Sequence, residues 1–310
     1  MAQIINDPGF GLKADRLSGR ILKEDGSINV DRRGQRFHIT DVYHYLLVMS
    51  WTKFLSLTVA FYILVNFIFG FIYLLIGTDQ ILNAHTDGWW VKFSDAMFFS
   101  SQTLTTVGYG NLAPGSALVS AISSLEALTG LFLFGIFTGL SFGRFSRVKP
   151  RITFAHEAVF APFRENQNAF MFRIVNERSS IVMDMSATVL VVMQDLESSI
   201  AERRYYALPL QIAQIRSLAM NWTVVHPIDS ESPLFKLGER DLVERNAEFL
   251  IILSAFDDTV GQKFYSRHSY RPHEIRYGAK YSKMYWTSDQ GDVELHINKV
   301  HDTEPAELYP

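Results

Sequence analysis

Thr106-Val107-Gly108-Tyr109-Gly110 is the stretch of this chain whose residue types and order could do chemistry. A dehydrated potassium ion needs a cage of oxygens in place of its water shell, and backbone carbonyls supply one when they all point the same way. Such a ladder forces some peptides into backbone regions closed to ordinary residues, so Gly108 and Gly110 are chemically required types. The Thr106 hydroxyl adds an oxygen at the inner end, so K+ would be held at Thr106, Val107, Gly108 and Tyr109. Val107 and Tyr109 are free to turn outward and wedge the strand against its surroundings. One strand cannot encircle an ion. Four copies can.

Gly-Tyr-Gly alone is a common turn. Here it follows Thr-Thr-Val and a short amphipathic stretch, Phe93 to Thr105, too short to span a membrane. Non-helical backbone at membrane depth is tolerated only where it lines a cavity. In that setting the pentapeptide resembles the selectivity filter of potassium channels.

The elements that must position it read as two membrane spans around a re-entrant segment. Residues 54–77 carry no charge and are long enough to cross hydrocarbon with some tilt. The connector Thr78 to Lys92 holds the paired Trp89 and Trp90, which read as an interfacial belt. A pore helix over 93–105, the filter at 106–110 and a return loop at Asn111–Gly115 come next, and the second span covers 116–143. Before the first span, Ile39, Val42, Tyr43, Leu46 and Leu47 fall on one helical stripe, so 37–50 is expected to lie along the membrane surface. Trp51 and Lys53 then sit at interface depth, where Lys53 can meet lipid head groups.

Lys and Arg crowd the flanks before Trp51 and after Gly143, whereas the connector has only Lys92. Both termini are therefore expected in the cytoplasm of a multi-pass protein of the cell (inner) membrane. The first thirty residues lack the apolar core of a signal peptide, and residues 1–36 read as a cytoplasmic tail, flexible over 1–25. The net charge of -3 speaks against a nucleic-acid partner. The absence of Cys excludes disulfides and thiolate metal sites.

Within the second span, Glu126 is the only charge. A membrane-buried carboxylate costs at least about 3 kcal/mol, so it should face protein and find partners. It is read as a support behind the filter together with Gln102 and Thr103. Gly135, Gly139 and Gly143 repeat every four residues, which fits close helix packing as well as a hinge at Gly139. Phe134 and Phe142 either face lipid or, if Phe142 faces the axis, four rings close a constriction by expelling water.

From Ile152 the pattern becomes short runs rich in β-branched and aromatic residues: Ile152–Phe154, Ala169–Val175, Ser186–Met193, Asn221–Val225, Phe249–Leu253, Lys283–Thr287 and Asp292–Asn298. This predicts an all-β sandwich over 148–300, with 301–310 as a tail, behind a pore domain at 51–147. Nine His show no ligand spacing, and no nucleophile elbow, phosphate loop or dinucleotide fingerprint is present. No enzyme and no cofactor is expected, K+ being the permeant ligand.

Trp222-Thr-Val-Val-His226-Pro-Ile-Asp229-Ser-Glu-Ser232-Pro233-Leu234 is similar to the cytoplasmic-domain signature of inward-rectifier potassium channels. Met171–Arg178, Arg267–Tyr270 and the pre-span Asp41-Val-Tyr-His-Tyr resemble further segments of that family, most closely its bacterial branch. The resemblance implies a homotetramer in which an immunoglobulin-like domain extends a helical pore, an α+β chain overall. It implies gating at the hinge Gly139, at the bundle crossing Phe142 and at a flexible pore loop, Ala255-Phe256 to Gly261. It further implies an acidic pore-lining position at Asp184, and anionic-lipid contacts at Arg144, Arg147 and Lys149. That basic cluster is equally a plain topology signal.

The family pattern is broken at several places. Eukaryotic members brace the filter with a Glu and an Arg, where this chain has Gln102 and Leu112. Phe134 stands where they carry a cavity acid, and Ser254 replaces another acid. Strong rectification by polyamines or divalent cations is therefore not expected, although Asp184, Asp257 and Asp258 leave room for weak block. The rival reading is a membrane-anchored sensor whose β domain binds a soluble partner. It leaves Thr106–Gly110 without a purpose.

Overall fold

The computed structural model describes residues 4–5, 19–23, 26–31, 33–34, 39–147, 151–195 and 203–310. It divides into two units, Gly34–Arg147 and the combination of Met1–Arg33 with Val148–Pro310. A two-residue strand, β1 (Ile4–Ile5), belongs to the second unit.

The first unit is helical: α1 (Ile39–Val48), α2 (Trp51–Ile76), α3 (Trp89–Leu104) and α4 (Ala117–Phe145). α2 and α4 are long and apolar enough to cross a membrane, and most of their lateral surface is exposed. α2 starts at Trp51, earlier than the charge-free run suggests, because the Ser50 hydroxyl caps it by accepting from the Lys53 N–H. It stops at Gly77, whose φ of +109° suits glycine. α3 likewise begins at Trp89, so the two Trp expected in the connector form its first turn. α4 runs past Gly143 to Phe145, where Arg144 donates to the Leu46 carbonyl of α1. Behind the α3–α4 turn, Tyr73, Ile81, Ala96, Phe99 and Val119 form a small buried core. A short ladder of β2 (Ile81–Leu82) with β3 (Ala113–Pro114) closes it.

The second unit is a sandwich. One sheet contains β1, β8 (Arg203–Ala207), β7 (Val182–Gln194), β11 (Glu248–Asp257) and β12 (Gln262–Tyr270) in that order, with β9 (Gln214–Leu218) also on β7. The other runs β10 (Asn221–Pro227), β6 (Gln167–Asn176), β5 (Ala158–Arg164) and β13 (Ile275–Tyr277), with β4 (Ile152–Phe154) also on β6. Inward residues of both sheets meet, as where Phe170 stacks on Phe249 with ring centroids 4.3 Å apart. Two small ladders complete the unit: β14 (Ala279–Tyr281) with β17 (Thr303–Pro305), and β15 (Tyr285–Thr287) with β16 (Val293–Leu295).

Both tails need correction where the structure describes them. Residues 301–310 are ordered by β17, and Asn168 exchanges two hydrogen bonds with the Tyr309 backbone at 2.9 and 3.0 Å. Leu22 is fully buried, and the buried Glu248 carboxylate accepts from the N–H groups of Ile21 and Leu22 at 2.8 and 3.2 Å. An apolar residue and a buried carboxylate that needs donors dock this part of the N-terminal segment.

Candidate functional site: the filter and its supports

α3 ends at Leu104, and the chain leaves it in an unusual backbone. φ is +60° at Thr106, +53° at Gly108 and +83° at Gly110, with negative values between them. Positive and negative φ values thus alternate along the segment. A Cβ built on Gly108 or Gly110 would meet nothing within 4 Å, so backbone conformation alone demands glycine there. Thr106 holds the same region without being glycine, which composition did not foreshadow. Val107 and Tyr109 are 55% and 83% exposed, so the surroundings they were expected to wedge against do not come from this chain.

Gln102 holds the segment at two points. Its carbonyl accepts from the Gly108 N–H at 3.2 Å, and its Nε2 donates to the Leu112 carbonyl at 2.8 Å. The Thr103 hydroxyl donates to the Phe99 carbonyl of its own helix at 2.7 Å, while its carbonyl accepts from the Thr106 N–H at 3.0 Å. Glu126 is fully buried in α4, but its partners are neither Gln102 nor Thr103. It accepts from Ser100 Oγ at 2.5 Å and from Tyr73 Oη at 2.6 Å, tying α4 to α3 and α2. The Asn66 amide oxygen lies 3.3 Å from the same Ser100 hydroxyl. Sequence reasoning missed Tyr73, Ser100 and Asn66; the available signal was that polar side chains are rare in apolar spans.

Farther along α4, Phe134 and Phe142 are 69% and 73% exposed. A Cβ on Gly139 would meet nothing within 4 Å, whereas one on Gly143 would press on Leu47 at 3.2 Å. In the β unit, Ala255 and Phe256 are paired strand residues of β11, opposite Phe264 and Lys263, and not part of a loop. The turn itself is Asp258 to Gly261, with Gly261 at φ +67°. Asp257 is buried and caps this turn by accepting from the N–H groups of Thr259 and Val260 at 3.0 and 3.3 Å. It is therefore no pore acid. Asp184 is exposed, at φ +47°, where the β7–β11 register shifts. The Ser254 and Ser186 hydroxyls share a hydrogen bond at 2.7 Å.

Residues 152–309 match the model of the inward-rectifier potassium channel C-terminal domain, and residues 57–147 match an ion-channel model. The chain is 33% identical over 297 residues to the inward rectifier potassium channel Kirbac3.1 of Paramagnetospirillum magnetotacticum, covering 94% of this chain and 98% of that one. It belongs to the inward-rectifier potassium channel family. More distant relatives include the inward rectifier potassium channel irk-1 of Caenorhabditis elegans, 24% identical across 95% of this chain and 58% of that one. The G protein-activated inward rectifier potassium channel 2 of Pongo abelii is 25% identical across 94% and 73%.

Within this inward-rectifier chain, the Gln102–Leu112 contact occupies the two positions where eukaryotic members were expected to carry a Glu and an Arg. An amide-to-carbonyl bond thus joins the same two points without charge. The lipid-binding expectations divide. Lys53 is exposed, and Arg147 is exposed apart from a 3.4 Å bond to the Leu47 carbonyl. Lys149 lies outside the described residues. Arg144 is corrected: it is buried, donates to the carbonyls of Leu46 and Met49, and lies over the rings of Trp51 and Phe54 at 4.7 and 4.5 Å. A guanidinium engaged with carbonyls at the end of a helix is not free for a head group.

Proposed function

We propose that this protein is a potassium-selective channel in which four copies of Thr106–Gly110 ring a common axis. The alternation of φ through Thr106, Gly108 and Gly110 carries this reading, since it has no other use in an exposed segment. K+ sheds its water against carbonyls of Thr106, Val107, Gly108 and Tyr109. Gln102 holds the ladder, and Glu126 with Ser100 and Tyr73 fixes the helix behind it. No reaction is catalysed.

Gating is assigned to Phe142 at the crossing of the inner helices, with Gly139 as hinge, and to the Asp258–Gly261 turn. Lys53 and Arg147 are the groups placed to meet anionic lipid, worth about 1 kcal/mol each near such a surface. Both termini lie on the cytoplasmic side. Rectification is weak, because Phe134 and Ser254 remove two acids and Asp257 is spent on its turn.

Reconstitution into liposomes tests this directly. K+ flux should be blocked by barium and abolished by Gly108→Val, and cross-linking should yield a tetramer. A monomer, or flux indifferent to Gly108→Val, would refute it.

A further inference from the structure

Side chains hold the first two carbonyls of the chain that leaves Gly110. The Leu112 carbonyl takes the Gln102 amide from α3. The Asn111 carbonyl, one residue past Gly110, takes the Asn83 Nδ2 from the connector at 2.8 Å. Asn83 is exposed, and a hydrogen bond between exposed groups competes with water, so it fixes a position only where its donor is set in advance. Its backbone has φ +62°, a left-handed conformation that asparagine tolerates better than most residues. Such a conformation persists where the surroundings determine it.

Here they do so from both sides. Before Asn83, β2 pairs with β3, the Gln80 carbonyl accepts from the Gly115 N–H at 2.8 Å, and Gln80 Oε1 accepts from the Ser116 hydroxyl at 2.8 Å. A Cβ on Gly115 would sit 2.8 Å from the Gln80 carbonyl oxygen, so the two segments meet backbone to backbone. After Asn83, the Ala84 N–H closes a turn on the Ile81 carbonyl at 3.3 Å. Asp95, a buried carboxylate on α3, then takes the His85 N–H on its Oδ2 at 2.7 Å, and the same oxygen lies 2.9 Å from His85 Nδ1. The connector is pinned to the return loop on one side of Asn83 and to the pore helix on the other.

We infer that Asn83 is a positioning residue for the outer end of the ion pathway, held in place by the His85–Asp95 pair. The inference rests on the reading of Thr106–Gly110 as a K+ filter and gives it a second brace. Gln102 reaches Gly108 and Leu112 from the pore helix, and Asn83 reaches Asn111 from the connector. With both carbonyls engaged, the two peptide planes that follow Asn111 and Leu112 cannot rotate without breaking a hydrogen bond. K+ exchanges its water shell at this end, so Asn83 acts on the traffic of ions with the outer solution and not on the inner end at Thr106.

Full-length protein in planar bilayers would be exposed to barium from the outer and, separately, from the inner side. Asn83→Gly removes the donor and keeps the backbone conformation. It should change the affinity and dissociation rate of external barium by about threefold or more, with internal block unchanged. His85→Ala loosens the same clamp at an exposed side chain. It should shift external block in the same direction and add nothing to Asn83→Gly in the double variant. This second variant carries the test should Asn83→Gly fail to fold. Thr86→Ala, an exposed neighbour, should behave like wild type. Wild-type K+ current blocked by barium, with both clamp variants indistinguishable from it, overturns the inference and leaves the filter reading standing. Equal changes in block from the two sides also overturn it, since they report general loosening. Wild-type protein that carries no K+ current refutes the filter reading, and the inference falls with it.

Discussion

Gly130 of the inner helix lies so close to Leu104, the last residue of the pore helix, that a Cβ on the glycine would land on the Leu104 carbonyl. The obstacle is backbone, which cannot swing aside as a side chain could. Gly130→Ala should therefore push the helix end that launches Thr106, at an overpacking cost of about 1–3 kcal/mol. Gly135→Ala meets nothing in its own chain and serves as the comparison. The expected result is a lower melting temperature and a lower K+/Na+ permeability ratio for Gly130→Ala, measured in detergent and by liposome flux. Equal behaviour of the two variants would remove Gly130 from the filter's support.

Glu126 receives two hydroxyl hydrogen bonds in a fully buried site. Glu126→Ala leaves Tyr73 and Ser100 without their acceptor, and each orphaned group costs about 1–3 kcal/mol. Glu126→Gln keeps the shape but turns an amine toward one of the two hydroxyls. Stability should fall in the order wild type, Gln, Ala, and replacing Tyr73 with Phe on top of Glu126→Ala should cost little more. An additive double variant would mean that the pair does not act as a unit.

Residues 106–110 stood out in the sequence because their glycines sit in a spacing and a membrane setting that few other structures need. What lies behind them did not. Pattern showed that Glu126 required partners, but Ser100 and Tyr73 reach it from other helices, at separations no periodicity records. Likewise, the loss of a charged brace at Gln102 and Leu112 could be read from residue types, yet the amide bond that joins them depends on a main-chain oxygen. Arg144 looked like its basic neighbours, and only the carbonyls at the end of α1 set it apart. In the β unit several apolar strands were visible, although the apolar β5 was not among them. Nor was β12, because its Lys263, Arg267 and His268 interrupt the apolar pattern while the backbone pairs with β11 regardless.

Arg144 and Arg147 should separate experimentally. Arg144→Ala removes donors from the Leu46 and Met49 carbonyls and a cation from two aromatic faces. Thermal stability and flux should fall by similar factors in neutral and in anionic lipid. Arg147→Ala should leave stability within about 0.5 kcal/mol, as for ordinary surface changes. Its effect should be a shift in the anionic-lipid dependence of flux. Flux assayed across a phosphatidylglycerol series decides, and the reverse assignment would show that Arg144 meets lipid after all.

His268 lies on β12 and stacks on Phe154, with ring centroids 4.7 Å apart. Burial, reinforced by Arg20 and His156 and opposed by Glu274, lowers its pKa to about 4. The unfolded chain therefore takes up this proton first as pH falls. The contribution of the neutral ring is complete above about pH 6.5 and is lost progressively as pH drops toward about 4. Melting temperatures of the full-length protein should decline over that window, and His268→Gln should flatten part of the decline. A parallel acid limb in the variant would exclude His268 as a source.

Asp184 and Asp257 were read together as acids available for weak block, and the structure gives them different duties. Asp257 is buried, with its carboxylate spent on two backbone N–H groups and its carbonyl accepting from Gly261 at 2.9 Å. Asp257→Asn should loosen the turn, lowering stability by about 1 kcal/mol through weaker acceptance and altering gating, with little change in block. Asp184 is exposed and belongs to no ion pair among the described residues. Its charge acts on mobile cations through water, so Asp184→Asn should weaken spermine and Mg2+ block and sharpen the fall of that block with added salt. Inside-side block measured in planar bilayers at two ionic strengths distinguishes the two residues. If Asp257→Asn relieved block as strongly as Asp184→Asn, the buried turn would have to open during conduction.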